Sequence, residues 1–198
     1  MVAENSQPIR SFIAIDIPAE IKTELTALQD SLKRLGAAVS WTRPEGVHLT
    51  LKFLGDVEPH VIPDIVNALI GAVNNTMSFN IIVEGVGCFP NPRRPKVLWV
   101  GLQGGEILSQ LQSAVETVTE PLGFPKENRR FNPHLTLGRV KDPRGIERVI
   151  RELEHLGFPR HEFTASEVRL MKSELKPTGA EYTVIHAIPL VHQSDVNH

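Results

Sequence analysis

The spacing of apolar residues changes its period several times along this chain, and each change predicts a new element. Arg10 to Ile17, with Phe12, Ala14 and the flanking isoleucines, reads as a strand. Pro18 opens a helix whose residues Ile21, Leu25, Leu28, Leu32 and Leu35 recur at helical spacing and stop near Gly36. Val47 to Leu54 predicts a strand ended by Gly55-Asp56, and Val61 to Val73 an amphipathic helix. Phe79 to Phe89 and Val97 to Leu102 predict two strands joined by the loop Pro90-Asn91-Pro92-Arg93-Arg94-Pro95.

The order then returns. Ile107, Leu108, Leu111, Ala114, Val115 and Val118 mark a helix that ends before Gly123. His134 to Val140 predicts a strand and Ile146 to Leu156 a helix. Phe163 to Met171 and Tyr182 to Ile188 predict two more strands, joined by a loop holding Pro177 and Gly179. Phe79 and Phe163 stand 84 residues apart, and His48 and His134 stand 86 apart, so the second half repeats the first. A duplicated lobe is the simplest account. Offsets alone do not tell a shared cleft between the copies from a mere convenience of packing.

Local sequence separates the two. The first copy reads His48-Leu49-Thr50-Leu51 and the second His134-Leu135-Thr136-Leu137. Side chains two apart on a strand share a face, so each motif offers an imidazole and a hydroxyl to one side and two leucines to the other. One His-x-Thr triplet is a chance occurrence in many proteins, and a lone strand histidine is usually structural. Two such motifs at the same place in a repeat are a signal.

Displacement at phosphorus is in line, with attacking and leaving oxygens on opposite sides. One side must lose a proton and the other must gain one. Histidine, with an unperturbed pKa of about 6.5, serves either purpose at neutral pH. The hydroxyls of Thr50 and Thr136 can donate to the non-bridging oxygens as charge develops. Arg139 follows the second motif and could clamp phosphate, although strict alternation puts it on the leucine face.

Composition narrows the partners. Of 198 residues, 41% are hydrophobic and 22% charged, ordinary values for a globular protein, with a net charge of −2. Coating a long nucleic-acid backbone calls for a strong positive excess, so any RNA contact should be confined to an end. The single cysteine, Cys88, excludes an intrachain disulfide and a cysteine-built zinc site. His60, His155, His161, His186, His192 and His198 show no paired-ligand spacing, so no metal and no cofactor is expected. No apolar run approaches membrane-spanning length and the first ten residues are polar, which predicts a cytoplasmic protein without membrane contact. The basic stretches Arg93, Arg94, Lys96 and Lys126, Arg129, Arg130 read equally as RNA guides or as solvated loops. Phe12, Trp41, Phe53 and Trp99 read as core before base-stacking residues. Gly85-Val86-Gly87 lacks the third glycine of a dinucleotide site, and Ser166 and Ser173 lack a nucleophile-elbow setting.

The chain resembles the 2H phosphoesterases, specifically the RNA 2′,3′-cyclic phosphodiesterases once called 2′-5′ RNA ligases. The likeness runs from Arg10-Ser11-Phe12-Ile13-Ala14-Ile15-Asp16 through Trp41, His48 to Gly55 and Val97 to Gly101, to Pro133 to Arg139. It implies an α+β, LigT-like fold of two pseudo-symmetric lobes, each α-β-α-β-β, forming one domain over residues 1–198, with antiparallel sheets lining a central cleft. It also implies hydrolysis of RNA 2′,3′-cyclic ends, or of small cyclic nucleotides, to 2′-phosphates, with possible reverse 2′-5′ ligation. In that family the first-motif histidine donates and the second accepts the proton, which gives His48 and His134 those roles. The protein is expected to act as a monomer. Two alternatives stay open. One is a binder of phosphate-terminated RNA without chemistry. The other is a 2H enzyme for a different small phosphodiester, such as a cyclic ADP-ribose derivative or an oligoadenylate.

Overall fold

In the computed structural model, which describes residues 7–176 and 179–191, the first apolar run becomes β1 (Ile9–Asp16). Phe12 to Ile15 are all buried, as expected of a strand covered on both faces. After Pro18 the helical stripe forms α1 (Ala19–Lys33), burying Ile21, Leu25, Leu28 and Leu32. Next come β2 (Val39–Trp41), β3 (His48–Val57), α2 (Ile62–Val73), β4 (Phe79–Phe89) and β5 (Val97–Gln103). The second half supplies α3 (Gly105–Thr119), β6 (His134–Val140), α4 (Ile146–Leu156), β7 (His161–Ala165), β8 (Glu167–Lys176) and β9 (Gly179–Pro189).

Three expectations change. The strand from Val47 does not stop at Gly55-Asp56. Gly55 takes a positive φ of 74°, which glycine adopts without strain, and β3 continues with Gly55 opposite Ser11 and Asp56 opposite Arg10. The run Phe163 to Met171 is not one strand. It breaks at Ser166, and β7 and β8 lie in different sheets. The Val39–Trp41 strand has no counterpart in the sequence reading, because three residues of mixed polarity carry no period. Pro177, in the predicted last loop, and His192 and His198 lie outside the described residues.

Both sheets are antiparallel throughout. One has the order β3-β1-β8-β9 and the other β2-β6-β5-β4-β7. The repeat maps β3 onto β6, and these motif strands pair with β1 and β5 respectively. The strand pairs are exchanged: β4 and β5 of the first half sit in the sheet of the second motif, and β8 and β9 of the second half sit with the first. The helices cross over too. α3 packs with α2 and β3, whereas α1 packs with α4, which in turn covers β4. The two lobes are therefore interleaved. Buried apolar residues from both sheets and all four helices join in one continuous cluster.

Candidate active site

Along β3 and β6 the alternation predicted from sequence holds at the motifs. Leu49, Leu51, Leu135 and Leu137 are buried, while His48, Thr50, His134 and Thr136 are half-buried and line a single cavity of about 660 Å³. Arg139 lines it as well. Parity alone would turn this arginine away from the cavity. The pairing of β5 with β6 skips Leu137, since Leu98 faces Gly138 and Trp99 faces Thr136. Such a bulge inserts one residue and reverses the facing of everything after it. Leu137 and Gly138 are consecutively buried, and Arg139 emerges on the threonine side.

The same device operates in the first lobe. β1 pairs Ile13 with Lys52 and Ala14 with Thr50, so Leu51 is skipped and Phe53 is turned to the cavity. Phe53 occupies the position equivalent to Arg139 and is 56% exposed. One wall thus ends in a cation and its mirror position in an aromatic ring. Lys52, equivalent to Gly138, turns inward to a buried ion pair with Glu116. Its ammonium also donates to the carbonyls of Phe124 (2.9 Å) and Pro125 (3.1 Å).

Each imidazole is anchored to backbone two residues upstream. Nδ1 of His134 lies 2.8 Å from the Asn132 carbonyl oxygen. A carbonyl only accepts, so Nδ1 carries the proton and Nε2 is left with a free lone pair. His48 hydrogen-bonds the backbone of Gly46. Its ring stacks on Phe12 at 4.5 Å and meets the edge of Tyr182 at 5.1 Å. His134 meets the ring of Phe89 edge-on at 5.0 Å, and Phe89 in turn leans on Trp99. Burial pushes the His48 pKa down to about 4, against weaker upward pulls from the Gly46 bond and Asp16. Burial also lowers the pKa of His134, with help from the positive charge of Arg139. In the free protein both rings are neutral at pH 7.

Sequence reasoning missed much of the remaining wall. Arg10, Arg43 and Lys176 line the cavity, and among the described residues no aspartate or glutamate does. Tyr182, the only tyrosine, sits against Gly46 so closely that a Cβ there would fall 2.6 Å from its ring. A tyrosine at the start of a predicted strand gives no sign of this. Of the aromatic residues singled out in the sequence, Phe12, Trp41 and Phe53 line the cavity, Phe12 also backing His48, and Trp99 packs under Gly87. Arg93, Arg94, Lys96, Lys126, Arg129 and Arg130 do not line it. Among the described residues no three histidine, cysteine, aspartate or glutamate side chains gather into a metal-holding cluster. No helix among them is long and apolar enough to cross a membrane.

The model of the LigT-like phosphoesterases matches the chain twice, over residues 15–99 and 100–182, reproducing the repeat read from the motifs. A Methanothermobacter thermautotrophicus protein named RNA 2′,3′-cyclic phosphodiesterase is 37% identical over 178 residues, covering 88% of this chain and 95% of that one. A solved structure from Thermus thermophilus superimposes with a TM-score of 0.77 at 27% identity, covering 93% of this chain and all of that one. The E. coli LigT structure complexed with 3′-AMP gives 0.75 at 25% identity, with 93% and 99% covered. With a match in each half and relatives aligned over nearly their whole length, this chain belongs to the LigT-like, or 2H, phosphoesterase family.

Proposed function

We propose that this protein hydrolyses the 2′,3′-cyclic phosphate at an RNA end to a 2′-phosphomonoester, using two histidines and no metal. The observation that carries this reading is that His48 and His134, each held by its own backbone, open into one cleft whose described lining holds no carboxylate. The name of the Methanothermobacter relative and the nucleotide in the LigT complex point the same way.

In the forward reaction, Nε2 of His134 takes a proton from water as its oxygen bonds to phosphorus. The bond from phosphorus to O3′ breaks on the opposite side, and His48 gives that oxygen its proton. The assignment of donor and acceptor follows the family. Thr50 and Thr136 donate hydroxyl hydrogen bonds to the non-bridging oxygens, Arg139 neutralises their growing charge, and Phe53 offers a face to the terminal base. A proton on His48 is disfavoured in the empty cleft. A bound phosphate anion reverses this by direct attraction, so the acid is charged on substrate entry. A 5′-hydroxyl in place of water gives a 2′-5′ bond by the same route. All five polar groups come from one chain, so no second copy is needed.

The test is turnover of a 2′,3′-cyclic nucleotide with EDTA present, followed by phosphorus NMR. The product should carry its phosphate on O2′. His48→Ala and His134→Ala should each lower kcat by at least about 10²-fold, the usual scale of positioned proton transfer. Near-normal turnover in either variant would rule out the mechanism. Tight retention of the cyclic end without conversion by the unmodified protein would identify a binder instead.

A further inference from the structure

The leucine that closes each motif is the residue skipped by its neighbouring strand, and its carbonyl accepts hydrogen bonds from outside that strand pair. In both lobes a glutamine from a helix of the opposite half takes it up. Gln29 of α1 is fully buried, and its Nε2 donates to the carbonyl of Leu137 at 2.8 Å and to that of Thr42 at 2.8 Å. Thr42 donates its own N–H to the same Leu137 oxygen at 2.9 Å. In the other lobe Gln112 of α3 donates to the carbonyl of Leu51 at 3.4 Å and to the Glu116 carboxylate at 3.1 Å. Leu51 and Leu137 stand 86 residues apart and are equivalent under the repeat, whereas Gln29 and Gln112 stand 83 apart, so the two glutamines reach equivalent carbonyls from helix positions about one turn apart.

A polar side chain with no exposed surface is costly unless its bonds are specific. Gln29 spends its donors on two backbone oxygens beside the cleft strand. An extra residue in a strand can slip along it, and slippage by one position would return Arg139 to the leucine face. A donor fixed to the Leu137 oxygen holds the extra residue at that position. We infer that Gln29 and Gln112 are reciprocal positioning residues, each pinning the bulge that turns Arg139 or Phe53 into the cleft from the other half's motif strand. Neither touches substrate. This rests on the proposed role of Arg139 as the phosphate clamp.

The experiment is a double-mutant cycle with Gln29→Met and Arg139→Ala. Two readouts are used: calorimetric Kd for adenosine 2′-monophosphate and kcat/KM for the 2′,3′-cyclic nucleotide. Arg139→Ala should weaken binding about 30-fold and Gln29→Met about tenfold, within the range of a lost or displaced charge-assisted contact. The double variant should bind within about twofold of Arg139→Ala alone, because nothing is left to position. Multiplication of the two losses, or wild-type binding by Gln29→Met, would overturn the inference while leaving the clamp intact. Wild-type binding by Arg139→Ala would instead refute the clamp, and with it the role given to Gln29. Should Gln29→Met fail to fold, the mirror pair decides. Gln112 is only half-buried, and the effect of Gln112→Met on Kd should vanish in a Phe53→Ala background. Persistence of that effect would refute the reciprocal arrangement.

Discussion

At the scale of single residues, desolvation of the two imidazoles governs how the protein answers to pH. The kcat/KM profile reports groups in the free enzyme, and both histidines there titrate below the ordinary value near 6.5. The optimum of kcat/KM should therefore fall below about pH 6.5, while the descending limb of kcat sits higher because bound phosphate raises both values. An alkaline inflection of kcat/KM above the ordinary histidine value would contradict this. Folding stability carries the same signature. The unfolded chain binds the His48 proton near 6.5 and the folded chain only near 4, so the contribution is whole above the first value and fades as pH falls towards the second. It amounts to about 3 kcal/mol at most. His48→Gln should flatten the loss of stability between these two values in denaturant titrations at several pH values. Gly46→Ala is a third case. Its methyl would push Tyr182 off the edge of His48, and we expect kcat to drop about tenfold, the effect of a small misplacement near reacting groups.

At the scale of elements, the strands and helices that can be read from sequence are those with a sustained period. α1 and α4 show an uninterrupted stripe, and the motif strands show clean alternation. What escapes is what a period cannot encode. Ser166 is flanked by strand-forming residues on both sides, so a change of sheet reads as continuity. A bulge leaves no mark in composition, and for this reason alternation puts Arg139 on the wrong face although its place in the motif is plain. Strict alternation would put Lys52 on the face of His48 and Thr50; its partners Glu116, Phe124 and Pro125 are more than sixty positions away. That burial has a measurable consequence. Lys52→Met leaves a buried carboxylate without its partner and should cost about 3–5 kcal/mol in chemical denaturation. Adding Glu116→Met should restore part of the loss, because an apolar pair of similar size removes the stranded charge.

At the scale of the whole molecule, the net charge of −2 conceals a division of labour. No described carboxylate lines the cleft, which Arg10, Arg43, Arg139 and Lys176 share, Lys176 being paired with Glu181 at its rim. Concentrated charge of one sign inside a concave wall attracts anions from a distance, and added salt weakens the attraction. Raising ionic strength from about 0.05 to 0.5 M should lift KM for a short RNA several-fold while kcat stays level, since screening acts on approach before chemistry. A parallel fall of kcat would place the sensitivity in the reacting groups. The exchanged strand pairs carry one more implication, for what half of this chain could be. Severed near Gly104, neither fragment can complete a β-sheet, because each sheet needs strands encoded on both sides of the cut. A single unit of this repeat would hold two open edges until it met a twin to trade hairpins with. The present chain is such a swapped partnership written on one polypeptide, and co-expressed fragments should reassemble where either alone aggregates.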